Sequence, residues 1–161
     1  IFGAYTFFGS SIKFICSNKI KIGAYTRCAY ESQFVDSNFH FVLNMKTGNV
    51  TRRESEILIG KCNWIGNRTS ITKGSKTKDF SIICAGSLMN KDYTQNEENF
   101  IMLGGSPAKV LTSGLKRIFS TEIEKDIIYF FNNNPKANNY NLTSELSDDF
   151  KDIHYWFEHM M

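Results

Sequence analysis

The feature of this chain that most constrains its fold is a residue pattern that repeats every six positions. In the segment EILIGKCNWIGNRTSITKGSKTKDFSIICAGSLMNK, which spans 56–91, the positions six apart hold Ile59, Ile65, Ile71, Thr77, Ile83 and Met89. An amphipathic helix repeats at about 3.6 residues and a half-buried strand at about 2, so neither produces this spacing. A hexapeptide period is typical of β-helices, in which three hexapeptides form one triangular coil and the first side chain of each points inward.

The same phase is present nearer the start of the chain. Two further runs of three positions share it, and they hold Phe2, Phe8, Phe14, Ile22, Cys28 and Phe34. Gly follows several of these positions, and we expect a small residue there to let the chain turn a corner with little steric hindrance. An interruption at about 36–56 separates the second run from the third. The pattern favours about four coils, and the alternative is chance alternation in an ordinary β domain.

Length and composition narrow the class of protein. A chain of 161 residues is one domain by size, and its net charge of +3 is too small to indicate a nucleic-acid partner. No apolar run reaches the length of a membrane span, and no secretory signal is recognisable, so we expect a cytoplasmic protein. The four cysteines lack a CxxC spacing and are interpreted as reduced thiols. Because the chain begins with Ile1 in phase with the repeats, we expect that upstream sequence is missing.

Four motifs resemble the hexapeptide-repeat acyltransferases, and most closely the sugar and polysaccharide O-acetyltransferases. Three of them are NWIGNRTSITKG (63–74), CAGSLMNKD (84–92) and NFIMLGGSPAKVL (99–111), the last with Ser106 where the family usually has Asn. The fourth, QFVDSNFH (33–40), resembles the segment that ends in the family's catalytic histidine. The resemblance covers roughly two-thirds of the chain.

This resemblance implies an all-β solenoid over 1–111, namely a left-handed parallel β-helix of hexapeptide repeats with a long inserted loop at about 36–56. It also implies a homotrimer with active sites between subunits. The expected cosubstrate is acetyl-CoA, without a metal, and the expected acceptor is a hydroxyl of a sugar or cell-surface polysaccharide. The implied activity is that of an acetyl-CoA-dependent O-acetyltransferase in polysaccharide biosynthesis.

His40 is the candidate general base for such a transfer. An imidazole can accept a proton near neutral pH, as the attacking hydroxyl requires. The other two histidines, His154 and His159, lie in the C-terminal tail, outside the repeats. Asp36 and Asn38 are candidates for orienting the imidazole, although the family often has Asp at the second of these positions. A solvated turn residue is the alternative interpretation of Asp36.

The acceptor site is expected to involve the inserted loop, since loops on a rigid scaffold commonly carry specificity. In the family such a loop reaches toward a neighbouring subunit. Here the segment NMKTGNVTRRESE (44–56) is polar. We expect Asn38, Arg52 and Arg53 to contact the acceptor, where the arginines suit an acidic sugar. Solvated surface arginines are the alternative.

Six residues match the family's acetyl-CoA site: Trp64, Ala85, Gly86, Ser87, Lys91 and Lys109. The tryptophan fills a position beside the donor and acceptor cleft, and packing at a trimer interface is its alternative role. The small residues of the Ala-Gly-Ser corner let the pantetheine arm approach the backbone closely. The two lysines match basic positions near the CoA phosphates, which attract cations.

The residues after the repeats, 112–161, are predicted to form a helical extension. Apolar residues at helical spacing there are Leu115, Ile118, Phe119, Ile123, Ile127 and Phe130. Thr121 and Glu124 form a predicted capping box, and Asn132–Asn134 before Pro135 predicts the helix end. A second short helix is predicted over 148–158. We find no catalytic pattern in this segment.

Three other functions remain possible at this point. N-acetylation of an amino sugar needs the same base and CoA cleft, so the sequence does not separate it from O-acetylation. A zinc hydratase of the carbonic anhydrase type also uses a left-handed β-helix. Its zinc site needs three His ligands, whereas the repeats of this chain contain only one His. A non-catalytic binding solenoid would neither transfer acetyl groups nor bind CoA tightly.

Overall fold

The computed structural model describes residues 1–143 and 153–154. The chain divides into two compact units, Ile1–Lys116 and Arg117–Met161. The described part of the first unit is built from short β-strands, and that of the second contains one long helix, α1 (Thr121–Asn133). The predicted all-β fold with a C-terminal helical segment is confirmed at this level.

The strands of the first unit are two to five residues long. In chain order they are β1 (Phe7–Phe8), β2 (Lys13–Ile15), β3 (Ile20–Ile22), β4 (Arg27–Cys28), β5 (Gln33–Val35), β6 (Val42–Leu43), β7 (Val50–Thr51), β8 (Ile57–Ile59), β9 (Trp64–Ile65), β10 (Ser70–Thr72), β11 (Ile82–Ile83), β12 (Leu88–Met89), β13 (Met102–Gly105) and β14 (Ala108–Thr112).

Strands that are distant in sequence pair in parallel to form three sheets. Sheet 1 contains β3 and β8 and is extended by single bridges at Phe2, Lys76 and Asp92. Sheet 2 has the order β1-β4-β9-β11-β13-β14, of which only the β13–β14 pair is antiparallel. Sheet 3 has the order β12-β10-β5-β2. The chain visits sheets 1, 2 and 3 in turn and then repeats, and we call one such pass a circuit.

The register of the sheets agrees with the six-residue pattern. Ile65 lies opposite Ile83 in sheet 2, and Ile71 lies opposite Met89 in sheet 3. Each pair is three hexapeptides apart, so one circuit without insertions takes three repeats. We name the connections between sheets by the sheets that they join, so the 2–3 edge joins sheet 2 to sheet 3.

The residues at the repeated position form the core of this unit. Nine of them are buried: Ile22, Cys28, Phe34, Ile59, Ile65, Ile71, Thr77, Ile83 and Met89. In the first circuit, the rings of Phe2, Phe8 and Phe14 contact one another with centroids 5.0–5.1 Å apart. Phe14 also stacks on Phe34 of the next circuit at 4.9 Å. Aromatic contacts of this kind add to the stability that apolar burial provides.

The glycines after the repeated position are needed because neighbouring circuits pack closely there, whereas the sequence predicts that they ease a turn of the chain. Gly60 and Gly66 do not have a positive φ, so they do not supply an unusual corner conformation. A Cβ added to Gly60 would lie 2.5 Å from the carbonyl carbon of Lys78, and one added to Gly66 would lie 2.5 Å from the amide nitrogen of Ala85. Successive circuits therefore approach too closely here for any side chain.

The inserted loop, predicted at about 36–56, contains an antiparallel hairpin. β6 and β7 pair through Val42 with Thr51 and Leu43 with Val50. At the base of the hairpin, Ser37 bridges Glu54. Although residues 44–56 are mostly polar, the insertion also exposes large apolar side chains to solvent, among them those of Phe41, Val42, Leu43, Met45 and Val50. An exposed apolar patch of this kind commonly marks an interaction surface.

The helix α1 starts later than its apolar spacing suggests. Leu115, Ile118 and Phe119 precede it, and the cap is Ser120, whose Oγ accepts a hydrogen bond from the Ile123 N–H at 3.4 Å. The predicted capping box at Thr121 is therefore wrong by one residue. The predicted stop is confirmed, since the helix ends at Asn133. The second predicted helix, 148–158, lies outside the described residues except for 153–154.

Candidate functional site

His40 lies at the base of the hairpin, where the chain leaves sheet 3 after β5. Its side chain is exposed, and it makes no hydrogen bond within the described parts of the chain. Its backbone N–H donates to the Asn38 carbonyl at 2.7 Å, and the Asn38 N–H donates to the Arg53 carbonyl at 3.0 Å. The backbone of this segment is thus ordered by local bonds, while the imidazole is available to a ligand or to a second subunit.

Asp36 does not orient His40, contrary to one of the two sequence-based alternatives for that role. Its buried carboxylate accepts hydrogen bonds from the backbone N–H groups of Ser17 at 2.7 Å, Asn18 at 2.8 Å and Lys19 at 2.7 Å. Cys16 Sγ also donates to it, at 3.4 Å. The carboxylate therefore fixes the connection that precedes β3. This correction removes Asp36 from the catalytic candidates.

The pKa of Asp36 reflects these contacts. Burial is the largest single influence and raises the pKa, because it disfavours the charged form. The backbone N–H donors at Ser17, Asn18 and Lys19, together with the Cys16 thiol, outweigh burial and hold the pKa below its ordinary value. Asp36 is consequently a carboxylate at neutral pH.

The Ala85–Gly86–Ser87 corner lies on the 2–3 edge, between β11 and β12. Gly86 has φ +69°, a region that L side chains rarely adopt, and both it and Ala85 are exposed. Ser87 is buried and its Oγ donates to the Cys84 carbonyl at 2.7 Å, so this hydroxyl shapes the corner. The N–H of Ala85 has no acceptor among the described residues. The residue is exposed, although its nitrogen lies on the side that faces Gly66 of the preceding circuit.

Lys109 lies in sheet 2, two strands from the residue before this corner, whereas Lys91 lies on another edge. β14 folds back on β13 so that Lys109 lies opposite Gly104. A Cβ added to Gly104 would be 3.3 Å from the Cβ of Cys84, the residue before the corner. Lys91 follows β12 on the 3–1 edge, where its Nζ lies 5.4 Å from the ring centre of Tyr93. The two lysines therefore lie on different edges.

Trp64 lies on the outer face of sheet 2. It pairs with Arg27 on one side and Ile82 on the other, and 45% of its surface is exposed. The next residue outward from Arg27 in the same row is Phe7, with the Arg27 guanidinium carbon 5.5 Å from its ring centre. This row therefore presents aromatic surface to solvent.

His40 and the Ala85–Ser87 corner are separated by sheet 3 within one chain. His40 follows β5 and so belongs to the 3–1 edge, and the corner precedes β12 on the 2–3 edge. A reaction that uses both groups would thus require two copies of the chain.

The two arginines of the insertion differ in their surroundings. Arg52 is exposed, and its carbonyl accepts a hydrogen bond from Lys73 Nζ at 2.7 Å. Arg53 is half-buried, donates from Nη1 to the Phe39 carbonyl at 3.2 Å and pairs through Nη2 with Glu54 at 2.9 Å. These contacts of Arg53 could not be predicted, because the neighbouring residues Arg52 and Arg53 are equivalent in the sequence.

Two further searches bear on function. Among the described residues, no group of three His, Cys, Asp or Glu side chains is arranged to hold a metal ion. None of the helices in the described ranges combines the length and the apolar character that crossing a membrane requires.

The comparisons with known proteins concern mainly the fold. No family model and no curated protein matches the sequence. Among solved structures, the polySia-specific acetyltransferase NeuO aligns with 99% of this chain and 63% of its own, with a TM-score of 0.67 and 20% identity. A hexapeptide-repeat-containing acetyltransferase from Vibrio cholerae aligns with 69% of this chain and 60% of its own (TM-score 0.56, 24% identity).

A third similar structure is galactoside acetyltransferase in complex with coenzyme A, which aligns with 70% of this chain and 58% of its own (TM-score 0.51, 20% identity). The chain thus spans about three-fifths of the length of these three structures. It has the fold of the hexapeptide-repeat acetyltransferases, the family that its motifs resemble.

Proposed function

We propose that this chain is an acetyl-CoA-dependent acetyltransferase whose first unit is a left-handed parallel β-helix. The parallel register of the three sheets and the likeness to three acetyltransferase structures support this proposal. The single observation that carries it is the exposed Ala85–Gly86 corner with the positive φ of Gly86, at the motif where the family binds pantetheine.

The acceptor in this proposal is a hydroxyl group of a sugar or cell-surface polysaccharide. One of the similar structures acts on polySia and another on a galactoside, as their names state, which supports a sugar acceptor here. Asn38, whose carbonyl accepts the His40 N–H, and Arg52, on the second strand side of the insertion, are exposed and are the proposed acceptor contacts. We retain the cytoplasm as the predicted location, since acetyl-CoA is the proposed donor.

His40 acts as the general base. Its neutral imidazole takes the proton from the acceptor hydroxyl as the hydroxyl oxygen bonds to the thioester carbonyl carbon. The carbonyl oxygen of the resulting tetrahedral intermediate carries the negative charge, and a backbone N–H at a corner is the proposed stabilising donor. The C–S bond then breaks, the acetyl group stays on the acceptor oxygen, and the CoA thiolate leaves with a proton available from the imidazolium.

The remaining residues bind the donor. The Ala85 N–H is the proposed donor to the pantetheine arm, and Gly86 leaves that approach free of side chains. Lys109 provides positive charge for the CoA phosphates, with Lys91 as a second basic contact from another edge. Trp64 is proposed to cover the cleft or to pack against a neighbouring subunit.

The proposed assembly is a homotrimer. Because His40 and the Ala85–Ser87 corner lie on different edges, the proposed site combines His40 of one subunit with the corner of its neighbour. The exposed apolar side chains of the hairpin and of sheet 2 support such contacts, since large patches of this kind usually mark interfaces.

The test is product analysis. Purified protein is incubated with acetyl-CoA and either a polysialic acid, a galactoside or an amino sugar, and acetylated products are identified by mass spectrometry. We expect an ester on a sugar hydroxyl. An amide product alone would replace the proposed reaction with N-acetylation. Tight CoA binding without any product would favour a non-catalytic protein.

A further inference from the structure

We propose that Arg53 is a positioning residue that holds the segment bearing His40 in place, and is not a contact for the acceptor. This inference rests on the proposed function, in which His40 is the general base. It departs from the sequence-based expectation, which assigned Arg52 and Arg53 the same role.

The backbone around His40 is strained. The His40 N–H donates to the Asn38 carbonyl at 2.7 Å, which closes a three-residue turn centred on Phe39. Phe39 has φ +61°, in the left-handed region. A bulky residue in that region is strained, and in this chain the same conformation recurs at other positions, among them Phe80 and Phe100. Such a conformation persists only where the surrounding structure holds it.

Arg53 contacts the residues on both sides of His40. Its Nη1 donates to the carbonyl of Phe39 at 3.2 Å, and its guanidinium carbon lies 4.7 Å from the ring centre of Phe41. Its own carbonyl accepts the N–H of Asn38 at 3.0 Å. Arg53 thus contacts Phe39 and Phe41, on either side of His40, through its side chain, and Asn38 through its backbone.

The arginine is itself fixed by its sequence neighbour. Its Nη2 pairs with Glu54 Oε1 at 2.9 Å, and the backbones of Glu54 and Ser37 form an antiparallel bridge at the base of the hairpin. The Oγ of Ser37 accepts the Phe39 N–H at 3.0 Å. The strained residue is thus held at its N–H by Ser37 and at its carbonyl by Arg53.

These contacts commit both terminal nitrogens of the guanidinium to protein partners. Nη1 and Nη2 already have partners, and Nε is buried and has no acceptor among the described residues. A buried Nε cannot reach a solvent-borne sugar. The planar fork of arginine lets one group bond a carbonyl, pair with a carboxylate and stack on a ring, whereas the point charge of lysine cannot do all three.

The kinetic test compares Arg53→Gln, Arg53→Lys and a control. In the active protein, Arg53→Gln should lower kcat about 10- to 100-fold, because small misplacement of a catalytic group has effects of this size. KM for acetyl-CoA should stay within about twofold, since the donor site is on another edge. Arg53→Lys should restore only part of the loss. The control Lys61→Gln removes an exposed positive charge from the 1–2 edge, which carries neither His40 nor the donor corner, and should leave kcat unchanged.

A double-mutant cycle separates positioning from general loss of structure. If Arg53 acts through His40, adding Arg53→Gln to His40→Ala should lower kcat by less than about twofold further. Hydrogen exchange of the peptide covering 37–43 supplies a readout independent of activity, and it should accelerate in Arg53→Gln but not in Lys61→Gln.

The outcomes are distinguishable. If the wild type is active and Arg53→Gln has normal kcat and unchanged hydrogen exchange, the positioning role is overturned and the proposed function stands. The same holds if Arg53→Gln lowers kcat by the same factor in the wild type and in His40→Ala. A wild type that transfers no acetyl group to any acceptor would overturn the proposed function and, with it, this role of Arg53.

Discussion

At the scale of single residues, Asp36 shows how a group near a candidate base can serve the scaffold. We expect Asp36→Asn to lower the free energy of unfolding by about 2 kcal/mol, because the new NH2 group would face buried N–H donors, and each such unpaired donor costs about 1–3 kcal/mol. Urea denaturation measures this change. The control is Asp79→Asn, whose carboxylate accepts one exposed N–H, that of Lys61, and it should have a smaller effect.

The lowered pKa of Asp36 also predicts a pH dependence. Although burial alone would raise it, the pKa of the folded state lies below that of the unfolded chain. The contribution of Asp36 to stability is therefore complete above about pH 4, the ordinary value for Asp, and is lost as the pH falls toward the folded pKa. Between pH 6 and pH 3 (roughly the range that brackets this value), the wild type should lose more stability than Asp36→Asn. Parallel losses in the two proteins would contradict this assignment.

Lys109 provides a prediction about donor binding. Its charge should attract the CoA phosphates equally in the ground state and in the transition state. Lys109→Ala should therefore raise KM for acetyl-CoA severalfold and change kcat little. Lys61→Ala, an exposed lysine on the 1–2 edge, is the matched control. A fall in kcat at constant KM would mean that Lys109 has another role.

The residues that the sequence predicted best are those whose role depends on local spacing. The six-residue phase identified nine buried core positions, because every circuit repeats the same side-chain directions. The partners of Asp36 and Arg53 could not be predicted, since the Asp36 bonds link residues 17–19 positions apart and the Arg53 bond spans 14. The positive φ of Phe39 has no signal in its residue type.

At the scale of elements, the hairpin is an addition that the scaffold does not need. β5 pairs directly with β10, and β3 with β8, so the circuits on either side of the insertion meet without it. We expect replacement of residues 38–53 by Asn-Gly, which favours a tight turn between the bridged Ser37 and Glu54, to preserve the far-ultraviolet circular dichroism of the strands. Acetyl transfer should be abolished, because His40 is removed. Unfolding of the whole unit would contradict this account.

The sequence predicts some of the strands and helices more accurately than others. The strands follow from the repeat, but the hairpin strands carry no such period, and the sequence predicts only an inserted loop there. The predicted capping box at Thr121 misses the helix start by one residue, because Ser120 is the residue whose side chain caps the Ile123 N–H. A cap depends on backbone geometry that hydrophobic spacing does not encode.

At the scale of the whole molecule, the account requires a shared active site. Light scattering of the purified protein should give about three times the chain mass of 18.5 kDa. In a trimer, inactive His40→Ala and Ala85→Trp chains, the second blocked at the donor corner, should regain part of the activity when they are co-expressed. Some mixed interfaces then combine an intact His40 with an intact corner. Mixed trimers without any regained activity would contradict a site built from two subunits.

The fold of the molecule was predictable because one short-range rule repeats along most of the first unit. The assembly was not predictable from the residues alone, since no local pattern specifies which faces meet. The family resemblance implies the trimer, and a shared site is proposed because His40 and Ala85–Ser87 lie on different edges of one chain.

The central claim is that His40 removes the proton from the acceptor hydroxyl, and one measurement tests it most directly. The measurement is steady-state transfer to a sugar hydroxyl by His40→Ala at saturating acetyl-CoA, with CoA affinity and thermal stability determined on the same sample. Because the His40 side chain is exposed and outside the core, the variant should fold and bind CoA normally. We predict a fall in kcat of about 10²- to 10⁴-fold, the usual effect of removing a general base. Near-normal transfer by the folded variant would contradict the claim.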